Sequence, residues 1–258
     1  MNGAPLASAA LSSHWDYSEL ASTYDLRPDY SDALLHRVMN QLGLMANDVA
    51  LDIGAGTGKL TSILCAARLS VIAIEPNSNM LGIARAKPAL RSVQWIAATG
   101  DSLPLKDRSA QLVAYGSSFN VVDQRKALDE CARVLVPGGS WMAVWNHRDL
   151  DDPLQKAIES AIRRHLPNYE YGNRRESPEN TLLSDARFAG TRRWEMRFVA
   201  PSQTSDWLAA WRSHATLRRQ AGGKLPSILD SIAEVVRGLD TLDVPYFTRV
   251  WTAQRIAS

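Results

Sequence analysis

The stretch Leu51-Asp52-Ile53-Gly54-Ala55-Gly56-Thr57-Gly58-Lys59-Leu60-Thr61 decides the fold of this chain. An apolar strand end runs into three alternating glycines and then into an apolar helix start, the order of a strand, a tight turn and a helix N-terminus. Glycines at 54, 56 and 58 free the backbone for dihedrals closed to other residues and let a ligand lie directly on the main chain. A ligand of nucleotide-like shape is expected there. A phosphate-binding P-loop needs glycine where this chain has Ile53 and Ser or Thr where it has Leu60, so the Gly58-Lys59 pair is a decoy. A G-x-G-x-x-G dinucleotide fingerprint needs glycine at Lys59, which makes a nicotinamide or flavin dinucleotide the poorer fit. Two acids frame the turn. Asp52 stands two residues before Gly54, and Glu75 ends the next apolar run, Val71-Ile72-Ala73-Ile74. A carboxylate at the end of a second parallel strand can accept hydrogen bonds from both hydroxyls of a ribose. That is the role expected of Glu75.

This pattern resembles the first motif of the class I S-adenosylmethionine (SAM) methyltransferases, and three further segments extend the resemblance. Ala98-Thr99-Gly100-Asp101-Ser102-Leu103-Pro104-Leu105 is similar to the loop that these enzymes place against adenine. Residues 117–149, SSFNVVDQRKALDECARVLVPGGSWMAVWNHRD, look like a methyltransferase-11-type subgroup that carries Phe-His-Trp-x-Asp, then ALxE, RVLxPGG and WNxRD. Asn120 and Val121 stand where that subgroup has His and Trp, so the resemblance does not carry the roles of those two side chains to this chain. Tyr24-Asp25-Leu26-Arg27-Pro28-Asp29-Tyr30 resembles the subgroup's N-terminal YDxxRPxYP. The resemblance covers roughly residues 15–150 and is thin beyond them.

The resemblance implies SAM as cofactor, with S-adenosylhomocysteine as product. It places the cofactor on Asp52, Gly54, Ala55, Gly56, Gly58, Glu75, Pro76, Thr99, Gly100, Asp101, Gly116 and Ser117. Methyl transfer from a sulfonium is an in-line displacement with an activated donor, so the protein has mainly to align the acceptor and exclude water. It needs no nucleophilic side chain and no metal, and a base only where the acceptor must lose a proton first. Four residues are candidates for the catalytic centre. Tyr17 and Tyr24 belong to the segment that the resemblance folds over the cofactor, where a hydroxyl would orient acceptor or donor; ring packing is the competing account. His147 follows the last central strand at its carboxyl end and is a candidate base, against the plainer reading of a surface loop histidine. Phe119, just past the fourth strand, would wall the transfer site or simply pack under the cap. His214, near Trp207 and Trp211, reads as packed or exposed, and His14 and His36 have less claim.

The fold expected is α/β: a Rossmann-like, doubly wound, seven-stranded, mostly parallel sheet with a helical cap and an N-terminal lid. Residues 1–43 read as a tail and lid helices, with an amphipathic helix from Ser31 to Gly43. Residues 44–150 read as the SAM-binding core, with strands at 48–53, 70–75, 93–98, 111–115 and 140–145 and a helix from Asp123 that Pro137-Gly138-Gly139 ends. Residues 151–258 read as cap helices and antiparallel strands of the same domain: helices at 153–166, 205–220 and 227–239, strands at 194–199 and 246–255. The last helix is given an apolar face that includes Leu239.

At 258 residues and 45% hydrophobic, the chain suits one large domain. No apolar run nears a membrane span and the N-terminus lacks a basic start, so a cytoplasmic protein without a membrane partner is expected. Cys65 and Cys131 have no metal-type spacing and read as reduced, buried packing residues. A net charge of +2 is too small for a nucleic-acid footprint. The pairs Arg163-Arg164, Arg174-Arg175, Arg192-Arg193 and Arg218-Arg219 nevertheless cluster after residue 150, as a solvated face or as a pocket for an anionic group. The expected partner is a small-molecule acceptor, methylated at oxygen or nitrogen, in secondary metabolism; carbon methylation, self-association and a SAM-fold binding protein without turnover stay open.

Overall fold

A parallel strand buried on both faces has to be apolar almost throughout, and the central strands obey that. In the computed structural model, which describes residues 21–256, β1 (Val49–Ile53), β4 (Ala110–Gly116) and residues 140–145 of β5 (Leu135–Arg148) are buried nearly end to end. They lie in one seven-stranded sheet with β2 (Ser70–Ile74), β3 (Gln94–Ile96), β6 (Phe188–Gln203) and β7 (Thr241–Arg255), in the order β3-β2-β1-β4-β5-β7-β6. β1 to β5 run parallel to one another, and β7 runs antiparallel between β5 and β6. The chain winds outward from β1 to β3 and returns on the other side at β4. The carboxyl ends of β1 and β4 therefore flank the switch point, where open α/β sheets bind ligands.

Ten helices are described: α1 (Ala21–Tyr24), α2 (Asp32–Gln41), α3 (Lys59–Ala66), α4 (Ser78–Ala86), α5 (Gln124–Val134), α6 (Pro153–His165), α7 (Glu179–Leu183), α8 (Thr204–Arg212), α9 (Ala215–Ala221) and α10 (Leu225–Val235). α2 starts where its cap dictates, with the Ser31 side chain accepting from Leu34 N, and it buries Leu34, Leu35, Val38 and Met39 against the sheet. α6 and α8 to α10 enclose a separate apolar cluster that includes Ile158, Ile162, Trp207, Trp211, Ile228 and Ile232 and rests on Val244 and Tyr246 of β7. Fully burying each such aliphatic chain contributes on the order of 1.5–3 kcal/mol, so the cap has a core of its own.

Five expectations are corrected. α5 ends at Val134, and Pro137-Gly138-Gly139 lies instead in the irregular start of β5, where the register with β4 shifts between Ala110 and Leu112. The helix expected at 205–220 breaks at Ser213-His214, because His214 caps α9, its Nδ1 accepting from Leu217 N. Leu239 lies beyond α10 and is exposed, and Cys65 is only half-buried. The edge pair is longer than its alternation suggested: β7 runs back through Pro245 to Thr241, with β6 as its partner there, while the ladder to β5 stops at Tyr246. A proline without an N–H is tolerated where one neighbour has ended.

Candidate active site

The turn after β1 is held from below by its own amides. Gly54 N and Ala55 N donate to Ile74 O at 2.8 and 3.0 Å, and Gly58 N donates to Ala55 O at 2.9 Å. The three glycines then divide. A Cβ at Gly54 would stand 2.6 Å from Ser118 Cβ and one at Gly58 would run into Leu90, so both are required by packing. Gly56, at φ +58°, would meet nothing within 4 Å: it is the glycine with an open face. Gly100 is buried against Ile53 and leaves no room for a side chain, while Thr99 is half-buried, Asp101 exposed and Pro76 exposed after Glu75. Gly116 approaches Leu60 and the Tyr30 hydroxyl, and Ser117 adopts φ +59°.

Glu75 closes the other side. Its Oε2 accepts from Gly56 N at 2.9 Å and its Oε1 from Asn77 N at 2.8 Å, so it fastens the turn while each oxygen keeps a further lone pair. Burial raises its pKa, opposed by those two amides. Asp52 is fully buried and accepts from Thr61 Oγ1 at 2.6 Å through Oδ2, whereas Oδ1 has no partner. Burial lifts its pKa to about 7 against the Thr61 hydrogen bond, with Glu75 adding repulsion. An unspent carboxylate oxygen, an open backbone face and a ribose-type carboxylate around one turn fit a cofactor carrying an ammonium and a ribose, and SAM has both. When bound, SAM supplies a methyl group activated by a sulfonium.

The lid segment lies across this turn. Lys59 pairs with Asp29 at 2.7 Å, Lys87 with Asp25 at 2.7 Å, and the Tyr30 hydroxyl meets Ser117 Oγ at 2.9 Å. Asn146 Nδ2 donates to Asp29 O at 2.8 Å, and Ser31 N donates to Thr248 Oγ1 at 2.8 Å. Beneath the lid and the cap lies a cavity of about 190 Å³ whose lining includes Tyr24, Tyr30, Lys59, Ser117, Trp145, His147, Arg148, Arg175, Trp207 and Trp211.

Of the four catalytic candidates, Tyr24 and His147 reach this cavity. The Tyr24 ring carries the Arg27 guanidinium at 4.3 Å. His147 is buried, not a surface residue, and its Nδ1 lies 3.1 Å from Arg249 Nη1. A guanidinium only donates, so that lone pair is committed and is not open to an acceptor's proton. Phe119 is placed in the core, edge-on to Tyr115 and Trp141 at 5.0 and 4.9 Å, rather than on the cavity wall. Tyr17 lies outside the described residues, as does His14. Asn120 accepts from Trp145 Nε1 at 3.0 Å and so orients a cavity-lining indole.

Sequence reasoning missed Tyr30, Asn146 and Arg148 as site residues, although all three stand in segments quoted for the resemblance. Lys59, set aside as a decoy, ties the lid to the glycine turn. Of the paired arginines, Arg175 lines the cavity, Arg163 pairs with Glu159 at 2.7 Å, and Arg192, Arg193 and Arg218 are exposed.

Residues 51–143 match the family model described as a methyltransferase domain. Those residues form a methyltransferase domain. An uncharacterised methyltransferase of Mycobacterium tuberculosis is 43% identical over 99 residues, which is 38% of this chain and 40% of that protein. The ubiquinone/menaquinone biosynthesis C-methyltransferase of Escherichia coli is 28% identical over 164 residues, 58% of this chain and 65% of that one. The chain thus spans less than half the length of the mycobacterial relative. A proposed type II methyltransferase from Anaeromyxobacter dehalogenans has the same fold, with a TM-score of 0.60 at 21% identity over 89% of this chain and 97% of that one. Among the described residues, no helix is long and apolar enough to cross a membrane, and no group of His, Cys, Asp and Glu could hold a metal ion.

Proposed function

We propose that this protein transfers the methyl group of SAM to an oxygen or nitrogen of a small-molecule metabolite held beneath the cap. The observation that carries this reading is the sharing of residues: Tyr30, Lys59 and Ser117 line the cavity and also adjoin the glycine turn, so donor and acceptor spaces meet there. Glu75 and Asp52 would hold the ribose and the ammonium of the cofactor, and the open face of Gly56 would receive it. Lid and cap exclude water from the meeting point, and Tyr24 would orient the acceptor. A cavity of about 190 Å³ supports a small acceptor over a macromolecule. A second reading, transfer to carbon, is favoured by the likeness to the Escherichia coli C-methyltransferase.

Incubation with methyl-labelled SAM and a metabolite extract tests both. The reading predicts label in a low-molecular-weight product whose acceptor atom separates the two forms. Binding of SAM without transfer to any fraction would contradict it and leave a SAM-binding protein without turnover.

A further inference from the structure

A charged group taken out of water needs a counter-charge or a full set of hydrogen bonds, and an unmet buried donor is costly. The cavity beneath the cap is out of balance on both counts. Its described lining holds four cationic side chains, Arg27, Lys59, Arg148 and Arg175, and one carboxylate, Glu159. Lys59 is paired with Asp29. Glu159 is spent as well, accepting from Arg163 Nε and from the Tyr171 hydroxyl, each at 2.7 Å. Arg148 and Arg175 form no ion pair with a carboxylate among the described residues. The Arg148 guanidinium lies on the Trp211 ring at 3.8 Å and that of Arg175 on the Tyr171 ring at 4.6 Å. Arg175 Nη2 donates to the carbonyl oxygen of Arg148 at 3.0 Å, which brings the two residues together. Burial lowers the pKa of Arg175, and Arg249 and Arg148 push it the same way against Tyr171.

The unmet polar atoms of the lining have the matching chemistry. Arg148 Nε, Gln155 Nε2, Trp207 Nε1, Trp211 Nε1 and Thr216 Oγ1 are buried without a partner; the first four can only donate, and the Thr216 hydroxyl can donate too. Glu159 is within electrostatic reach of Arg175 but is shared with Arg163, so a neutral or cationic ligand would leave the Arg148 and Arg175 pair with a net positive charge. A carboxylate or phosphate accepts through several lone pairs and supplies the missing charge, and a guanidinium fixed on an aromatic face keeps its N–H edge ready for it.

We infer that the cavity selects an acceptor bearing an anionic group, carboxylate or phosphate, held by Arg148 and Arg175, with its apolar body against Trp207 and Trp211. Naming this molecule the acceptor rests on the methyltransferase reading; the anion site itself does not.

Calorimetric titration of the protein with benzoate, phenyl phosphate and the uncharged benzamide tests the site, with and without S-adenosylhomocysteine. The expected result is that at least one anion binds ten or more times more tightly than benzamide, and the two anions show whether carboxylate or phosphate is preferred. Arg148→Gln and Arg175→Gln should each weaken that anion at least tenfold while S-adenosylhomocysteine affinity and melting temperature stay near wild type. Arg148→Lys, which keeps the charge and loses the fork, should fall between. Should a glutamine variant fail to fold, the wild type still decides, because rising salt should weaken the anion and leave benzamide unchanged. Equal binding of benzamide, anion binding indifferent to salt or to both substitutions, or no binding of either anion at millimolar concentration would overturn the inference. Anion binding without any S-adenosylhomocysteine binding would instead break the methyltransferase reading and leave the anion site standing.

Discussion

The glycine turn after β1 and the cavity beneath the cap lie at the same ends of the sheet strands, yet they are built differently. The turn is backbone from one continuous stretch, fastened by Glu75 from the next strand end. The cavity is side chains gathered from the lid, the end of β5, α6, β6, α8 and β7. Recognition by main chain leaves its mark locally, because glycine is demanded wherever a side chain would collide. Recognition by side chains leaves none, since Arg148, Arg175 and Trp211 are brought together by the fold and not by spacing.

The comparison breaks first at Gly56. Gly56→Val places a branched side chain on the open face and forces it to φ +58°, a strain of about 1–3 kcal/mol. Binding of S-adenosylhomocysteine should fall by about a hundredfold or more, read by calorimetry, while the protein stays folded. Unchanged affinity would show that the cofactor does not lie on this turn. Glu75→Ala should come next, costing roughly 1.5–3 kcal/mol of SAM affinity through the lost bonds to a charged acceptor. Because Glu75 also holds Gly56 N, Glu75→Gln should lose less, and an alanine variant with wild-type affinity would refute the ribose role.

Asp52 gives a pH test. Its folded pKa is raised from 3.8 to about 7, so the folded state holds the proton more tightly than the unfolded chain. That contribution is complete below about pH 4 and is lost as pH rises through about 7. Asp52→Asn removes the buried charge, so it should raise stability at pH 8 by roughly 1–3 kcal/mol and by little at pH 4, while weakening SAM. A melting difference independent of pH would sink this account. The smallest effects belong to the lid that joins the two regions. Tyr24→Phe should lower turnover about tenfold with SAM affinity within about threefold, and Tyr30→Phe, which loses the Ser117 contact, should cost about 1 kcal/mol in cofactor affinity. Turnover and affinity both unchanged in the two variants would reduce these rings to packing.

The sheet was legible because buried parallel strands are runs of apolar residues and their turns are marked by glycine, as from Val49 to Gly58. The division of labour among glycines 54, 56 and 58 was not, since it depends on Ser118 and Leu90, which approach from other segments. His147 was read as a loop residue because nothing near it in sequence announces Arg249 on β7. Phe119 was left between a wall of the site and a packing residue because its partners Tyr115 and Trp141 come together only across β4 and β5. The break at His214 was hidden by an apolar pattern that continues through it.

The central claim is that the turn at Gly54 to Gly58 is a SAM site. Calorimetric titration of the wild-type protein with S-adenosylhomocysteine, NAD and ATP tests it most directly. The account predicts saturable one-to-one binding of S-adenosylhomocysteine that Gly56→Val abolishes, with no binding of NAD or ATP in the same range. Equal binding of NAD, or S-adenosylhomocysteine binding that survives Gly56→Val, would contradict it.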